Sequence, residues 1–513
     1  MIDVLFIVPN NSKNIYQGLS SKYSAIETPT WALLLAESCR SKNFSVDILD
    51  TNAEQLDDEN SFEKIKALNP KLILFVVYGQ NVNAGTTNMS GTVRLAKYLK
   101  SKHLKIPISI VGSHVQALPL ETLKKEKSID FVFTNEGVYA LHNLLKTNLK
   151  ISDLKNIKGI AYRNGTEIEI NNPEKIVPQD RLDYDLPGYA WDLLPYKNKP
   201  FDLYRSPLWH AEYKEEFRSP YAAIQTSLGC MFGCDFCMIN IINRDDNKEI
   251  GVASDYSKMR YWSTEFIIKE FEKLISYGVK TIKITDEMFL LNPKFYVPLC
   301  EKLAELNTND DLKMWAYSRI DTVKKTDTLK KVRQAGIKWL CLGIESGDKK
   351  VRLEVSKGKF EDVDVRKIIS RIHESDIEVM ANYIFGLPGD DINTMQKTLD
   401  LSIELCTSGW NAYAAMALPG SFLYKKSLEM NYQLPTDYEG FSFHSYETIP
   451  LSTTNLKAFE ILNFRDKAFH KYHSNPNFLK RIENKFGLNA KENILSSLQI
   501  KLKRKIIEEN INN

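Results

Sequence analysis

Short apolar runs alternate with amphipathic stretches twice along this chain, and that alternation restricts it to parallel sheets covered by helices. In the first series the strand candidates are Val4–Val8, Ser45–Leu49, Leu72–Val77, Ile108–Val111 and Phe131–Phe133. Helix-like segments lie between them, near Trp31–Arg40, Phe62–Leu68, Gly91–Lys102 and Gly137–Leu145. A doubly wound sheet of this kind takes ligands at the carboxyl ends of its strands. The loops expected there are Pro9–Tyr23, Tyr78–Ser90 and Gly112–Leu118. The second is rich in Gly, Asn and Thr and carries Gln80 and Asn81; the third carries Ser113 and His114.

The second series begins near Tyr221. Its strands are expected at Tyr221–Thr226, Thr281–Thr285, Leu312–Ser318, Trp339–Ile344, Val379–Phe385 and Ala412–Met416. Helices are expected over Glu265–Tyr277, capped by Ser263 and stopped by Gly278, and over Val365–His373. Six such strands predict a partial (β/α)6 barrel. Between the series, Gly159–Arg163 and Glu167–Ile170 flank Asn164-Gly165, a hairpin signal, and Pro173–Pro220 is dense in Pro, Tyr and Trp. The α/β reading therefore divides the chain into a Rossmann-like domain over 1–150, a linker with a hairpin over 151–215, the barrel over 216–440, and a small helical C-terminal region over 441–513. The basic tail Lys501–Lys505 is expected to be a solvated helix face.

The 513 residues allow a large core, and 68 basic against 65 acidic residues leave no polyanion footprint, so no nucleic-acid partner is expected. The longest apolar runs have strand length, which predicts no membrane span. The start MIDVLFIVPNN has no basic leader before its apolar run, so no export signal is expected. Seven scattered cysteines do not make a disulfide framework, and a reducing, cytoplasmic location is expected. Cys39, Cys300, Cys341 and Cys406 lie in apolar patterns and are read as small core residues.

The other three cysteines carry the chemistry. Cys230, Cys234 and Cys237 stand at C-x3-C-x2-C spacing shortly after a strand. Three thiolates on one tight loop suit an iron–sulfur cubane, with one iron left open for an exchangeable ligand. A zinc loop ordinarily adds a second CxxC or a His pair, and neither is present.

This segment resembles the signature of the radical S-adenosylmethionine (radical SAM) family, including the aromatic Phe236 before the last cysteine. The resemblance continues in Asp286-Glu287-Met288-Phe289, Tyr317-Ser318-Arg319-Ile320-Asp321, Gly343-Ile344-Glu345-Ser346-Gly347, Phe385-Gly386-Leu387-Pro388-Gly389-Asp390 and Leu418-Pro419-Gly420-Ser421. All fall where parallel strands are expected to end, so they converge on one mouth. The resemblance implies a [4Fe-4S] cluster that binds S-adenosylmethionine and cleaves it to a 5′-deoxyadenosyl radical. Asp286 and Glu345 are then candidates to accept from ribose hydroxyls or the methionine ammonium. Arg319, beside Ser318, is a candidate partner for a carboxylate, and Gly386 and Gly389 would let the backbone approach adenine.

The N-terminal half is similar to the cobalamin-binding module of one radical SAM subgroup. The residues that carry this are Gly112-Ser113-His114 with Leu118-Pro119, Asp130-Phe131-Val132 with Asn135-Glu136-Gly137, and Leu186-Pro187 with Trp191-Asp192-Leu193-Leu194-Pro195. No Asp-x-His-x-x-Gly follows the first strand, so no imidazole is expected below the cobalt, and His114 reads better as a polar loop residue than as a ligand. The resemblance implies methyl transfer to an unactivated carbon of a small-molecule substrate. The implied partner is an external one-electron donor of flavodoxin or ferredoxin type. A cobalamin-dependent cyclase or other non-methylating radical enzyme uses the same residues. A methylthiotransferase acting on nucleic acid fits the charge poorly, and a protein that only stores cobalamin or a cluster has no need of the strand-end motifs.

Overall fold

Strict alternation along the central strands of the first sheet sends side chains into two separate cores. Val4, Phe6, Leu72 and Leu74 enter one, and Leu5, Ile7, Ile73 and Phe75 enter the other. A sheet apolar on both faces must be covered on both. The helix Thr30–Arg40 covers the first face with Ala32–Ala36, and the helix Gly85–Ser101 covers the second with Met89 and Val93. The computed structural model describes residues 2–78, 82–196, 203–205, 219–323, 326–355 and 363–511.

The first sheet has seven strands: β1 (Ile2–Val8), β2 (Val46–Asp50), β3 (Pro70–Val77), β4 (Ile108–Gly112), β5 (Phe131–Phe133), β6 (Ile160–Asn164) and β7 (Glu167–Ile170), in the order β2-β1-β3-β4-β5-β6-β7. The first five are parallel, and β6 and β7 add antiparallel to the edge. The hairpin expected within the linker is thus the rim of the first sheet. Gly165, at φ +62°, supplies its turn.

The second sheet has six parallel strands in the order β15-β14-β13-β12-β11-β8. They are β8 (Tyr221–Ile224), β11 (Thr281–Ile284), β12 (Lys313–Arg319), β13 (Ile337–Glu345), β14 (Glu378–Phe385) and β15 (Gly409–Ala414). This is the expected partial barrel. Between β8 and β11 lies a two-stranded piece that the apolar pattern gave no sign of: β9 (Ser227–Cys230) antiparallel to β10 (Lys258–Tyr261). The helix Thr264–Ser276 begins as expected, with Ser263 Oγ accepting from Phe266 N–H at 3.2 Å.

The two sheets are joined directly. The Thr28 hydroxyl accepts from Ala223 N–H at 2.8 Å and donates to its carbonyl at 3.0 Å, which occupies the open edge of β8. Glu136 pairs with Arg260 at 2.7 Å in a buried inter-sheet ion pair. Aromatic linker residues pack across the boundary, Tyr189 stacking on Trp191 and Trp191 Nε1 donating to Glu270 at 2.9 Å.

The C-terminal helices Ala458–His473, Pro476–Phe486, Leu488–Ser497 and Lys505–Ile511 follow the barrel. The first lies against β14 and β15, with Phe464 on Phe385 and Tyr472 stacked on Trp410. The expectation for the basic tail is corrected in part. Residues 501–504 precede the last helix, and Arg504 is buried because its guanidinium is held by Asp466 at 2.9 and 3.0 Å. Cys39, Cys300 and Cys341 are buried, but Cys406 is half-buried, as the left-handed cap of the helix Ile392–Leu405. Among the described residues no helix is long and apolar enough to cross a membrane.

Candidate functional site

The three cysteines sit on one loop whose shape is set by backbone hydrogen bonds. Gly229, at φ +82°, brings β9 so close to Lys258 that a side chain there would strike its carbonyl. The Cys230 N–H donates to Asn240 Oδ1 at 2.7 Å, Asn240 Nδ2 donates back to Phe232 O at 3.1 Å, and Cys237 N–H closes on Cys234 O at 3.1 Å. All three thiols are free. Burial pushes Cys230 up to about 12 and Cys234 to about 11, the latter helped by Glu345 and opposed by Arg319. Iron binding therefore has to displace protons from this loop. Among the described residues no three His, Cys, Asp or Glu side chains converge on one metal position, and the donor set suits a multi-iron cluster better than a single zinc, whose sulfurs stand about 2.3 Å from one ion.

The strand ends bring the other candidates around this loop, but they use them differently. Asp286 is buried, and its carboxylate accepts from Thr226 N–H, Thr226 Oγ1 and Ser227 Oγ, each at 2.6 Å. It anchors the start of the cysteine strand, which takes up the acceptors expected to meet ribose or ammonium. Arg319 forks onto Asp321 at 2.6 and 2.5 Å and lies 3.6 Å over the Phe232 ring. Held this way, it stiffens the cysteine loop through Nε, Nη2 and its contact with Phe232. Ser318 Oγ pairs with Thr322 Oγ1 at 2.8 Å.

Glu345 at the mouth has no hydrogen-bond donor to its carboxylate among the described residues. It sits at φ +64°, beside a register shift between β13 and β14, and its carboxylate folds over Gly343, where any Cβ would meet it. A non-glycine residue in this conformation is strained, a feature that clusters at working sites. Burial pushes the Glu345 carboxyl up to about 7 against the pull of Arg319. Glu287, likewise pushed by burial to about 7, is near enough to Cys230 and Cys237 to raise both thiols.

Gly386 has φ +81° and faces Ile461 of the C-terminal helix, whose atoms lie 2.6 Å from an added Cβ; Gly389 faces Glu354 at 3.0 Å. Asp390 shapes this turn, accepting from Gly386 N–H and Leu387 N–H at 3.0 Å each. At both glycines a side chain would meet protein atoms, so the close packing of the C-terminal helix and of Glu354 is one reason for glycine there.

On the first sheet, Ser113 Oγ donates to Val82 O at 2.7 Å and is fully buried. His114 is buried on a short helix, with Nδ1 3.1 Å from Thr86 Oγ1 and its ring edge-on to Tyr438; burial pushes its pKa down to about 3. Gln80 and Asn81 lie outside the described residues. The next loop residues reach the cysteines: Asn83 Oδ1 accepts from Met238 N–H at 3.1 Å, and its amide lies 4.0 Å from Cys237 Sγ. Asn83 and Asn240 were missed in the sequence; only the Asn-rich composition of the Tyr78–Ser90 loop hinted at the first. A cleft between the sheets is lined by Glu27, Trp31 and Tyr78 on one side and by Gln225, Thr285 and Glu287 on the other. Nearby, the buried Gln116 Oε1 has no donor among the described residues, although its Nε2 donates to Tyr78 OH and Asn135 O.

Fold and site define a two-part α/β protein whose cysteine loop opens toward a second, nucleotide-fold-like sheet. The sequence matches the radical SAM superfamily over residues 224–402 and the B12 binding domain over residues 17–145. The chain carries a B12 binding domain followed by a radical SAM domain, and its cofactors are a [4Fe-4S] cluster, S-adenosylmethionine and cobalamin. It is 24% identical over 457 residues to an uncharacterised methyltransferase of Pyrococcus horikoshii, covering 88% of this chain and 89% of that one. It is 21% identical over 416 residues to the anaerobic magnesium-protoporphyrin IX monomethyl ester cyclase of Cereibacter sphaeroides, covering 77% and 58%. The solved structure of the cobalamin-dependent S-adenosylmethionine radical enzyme OxsB, with aqua-cobalamin and S-adenosylmethionine bound, shares the fold at a TM-score of 0.66 and 14% identity, covering 97% of this chain and 71% of that one.

Proposed function

We propose that this protein is a cobalamin-dependent radical methyltransferase acting on an unactivated carbon of a small molecule. The observation that carries the reading is the cysteine loop set against the B12 side, where Asn83 meets Met238 and Cys237 and a narrow cleft of about 40 Å³ separates Trp31 and Tyr78 from Glu287. When bound, the cluster with S-adenosylmethionine supplies a 5′-deoxyadenosyl radical and cobalamin supplies a methyl group.

The chain's own residues provide the placement. Cys230, Cys234 and Cys237 hold the cluster, and Asn240, Arg319 and Asp286 fix the loop that carries them. Glu345 offers a carboxylate at the mouth for the methionine ammonium or ribose of S-adenosylmethionine. The unpartnered Gln116 oxygen offers an acceptor to the amide side chains of cobalamin. Thr28, Glu136 and Arg260 lock the sheets together, so a carbon radical formed in the cleft is kept from water and stray hydrogen donors. An external one-electron donor of flavodoxin or ferredoxin type completes the system, and a reducing, cytoplasmic setting suits both this donor and the cluster chemistry.

The named methyltransferase relative supports this reading, and the named cyclase relative supports a ring-forming alternative on the same scaffold. Turnover with methyl-deuterated S-adenosylmethionine separates them. Methyl transfer gives a labelled product, with one deoxyadenosine and one S-adenosylhomocysteine per turnover. A product without the label, formed without stoichiometric S-adenosylhomocysteine, overturns it.

A further inference from the structure

We propose that the C-terminal region holds a second ligand site, for a small molecule that carries a phosphate or carboxylate on an apolar body. The site is a cavity of about 440 Å³ between the helix Ala458–His473, residues 497–508 and Leu19 of the first domain. That volume is within the range of small-molecule pockets.

Charge in its wall is out of balance. Arg465, Lys501, Lys503 and Arg504 line the cavity, against only Asp466 and Glu508. Asp466 is shared by both arginines, at 3.0 Å from Arg465 Nη1 and 2.9 Å from Arg504 Nε, and Glu508 accepts from Tyr446 OH at 2.9 Å. Arg504 is satisfied, since its remaining donors reach Ser445 O and Thr448 Oγ1.

Arg465 is not satisfied. It is 7% exposed, its Nε donates to Ala412 O on β15 at 2.8 Å, and among the described residues nothing accepts from its Nη2. Arg465 lines the cavity with this donor open, and an oxyanion is the group a guanidinium fork fits. His444 does not supply a negative or bridging charge, because burial and the two arginines keep it neutral. Leu19, Phe469, Ile500, Leu502 and Ile507 add an apolar part to the wall, beside the uncharged polar Asn463 and Ser497. A bare inorganic anion would leave that surface uncovered.

The test is calorimetric titration of the full-length protein with hexyl phosphate, hexanoate and hexanol. One equivalent of hexyl phosphate or hexanoate is expected to bind, the tighter of the two naming the headgroup, and hexanol is not. The exposed pair Lys501→Glu/Lys503→Glu keeps the fold and is expected to weaken binding at least about ten-fold, as is Arg465→Gln. Absence of saturable binding by both anions, or binding unchanged in the lysine variant, overturns the proposal. Neither result depends on methyl transfer.

Discussion

Asn83 of the first domain accepts a hydrogen bond from the backbone N–H of Met238 at 3.1 Å, directly after the last cysteine of the loop. Its amide also lies 4.0 Å from Cys237 Sγ, so a residue of the B12 side touches the cysteine loop itself. Hydrogen bonds to cluster sulfurs raise the reduction potential by stabilising the added electron. Asn83→Asp keeps the acceptor for Met238 but removes the amide donor. The reconstituted variant is expected to retain its iron and to show a lower cluster midpoint potential in a redox titration followed by electron paramagnetic resonance. An unchanged potential would mean that the amide does not reach the sulfur.

A buried ion pair holds the two sheets together. Arg260 donates to Glu136 Oε2 at 2.7 Å, to Val177 O at 2.7 Å and to Asn243 Oδ1 at 2.9 Å, and neither charged side chain meets solvent. Removing one partner leaves a bare charge, at a cost of about 3–5 kcal/mol, whereas replacing both with apolar groups costs much less. Arg260→Met is therefore expected to lower the denaturation midpoint more than the double substitution Arg260→Met/Glu136→Met. A double variant less stable than the single one contradicts this account of the interface.

The cysteines divide by environment. Cys230, Cys234 and Cys237 share one loop, while Cys341 is buried in the barrel core at 0% exposure. Alanine at any of the three is expected to abolish cluster absorbance after anaerobic reconstitution and to stop deoxyadenosine formation. Cys341→Ala is expected to keep both, with a modest loss of stability. A Cys341 variant that loses its iron would reassign the ligand set.

What could be read from the sequence follows a physical division. Strands buried on both faces, such as β1 and β3, announce themselves as unbroken apolar runs, and the cysteine spacing fixes the loop chemistry locally. The strand β10 reads Lys-Met-Arg-Tyr and has no apolar run; it is defined by its antiparallel pairing with the glycine-containing β9. Side-chain surroundings are hidden where a distant segment competes for the same atoms. Asp286 is taken by Thr226 and Ser227, about 60 residues earlier in the chain, and a side chain at Gly386 would meet Ile461 of the C-terminal helix. For Arg319 the limit is local: its partner Asp321 stands two residues away, but a sequence does not show which way a fork turns.

His114 gives a spectroscopic prediction. Its Nδ1 is engaged by Thr86, its ring packs edge-on against Tyr438, and burial keeps it neutral. Coordination would have to use Nε2 of a ring that is 6% exposed and packed against Tyr438, which argues against a cobalt ligand here. The reduced cob(II)alamin form is expected to show no nitrogen superhyperfine splitting from a protein ligand, with the same spectrum in His114→Ala. Splitting that disappears in the variant would make His114 the lower ligand.

Asp50 sets a pH dependence far from the cysteines. At the end of β2 its carboxyl accepts from Ala53 N–H at 2.9 Å and from Tyr204 OH at 3.2 Å. Burial pushes it up to about 7, against those two hydrogen bonds. In the unfolded chain the same group titrates near 3.8. Between these two values the folded protein holds a proton that the unfolded chain has released. Stability contributed by this site is therefore present below about 4 and lost as pH rises toward 7, with a limiting slope of about 1.4 kcal/mol per pH unit. Asp50→Asn keeps the Ala53 contact and removes the titration. Thermal unfolding of the cluster-free protein should show the variant gaining on the native protein from pH 5 to pH 8, as the native carboxyl is forced to ionise in an apolar setting. If the two melting curves keep a constant separation over that range, Asp50 is already ionised in the fold.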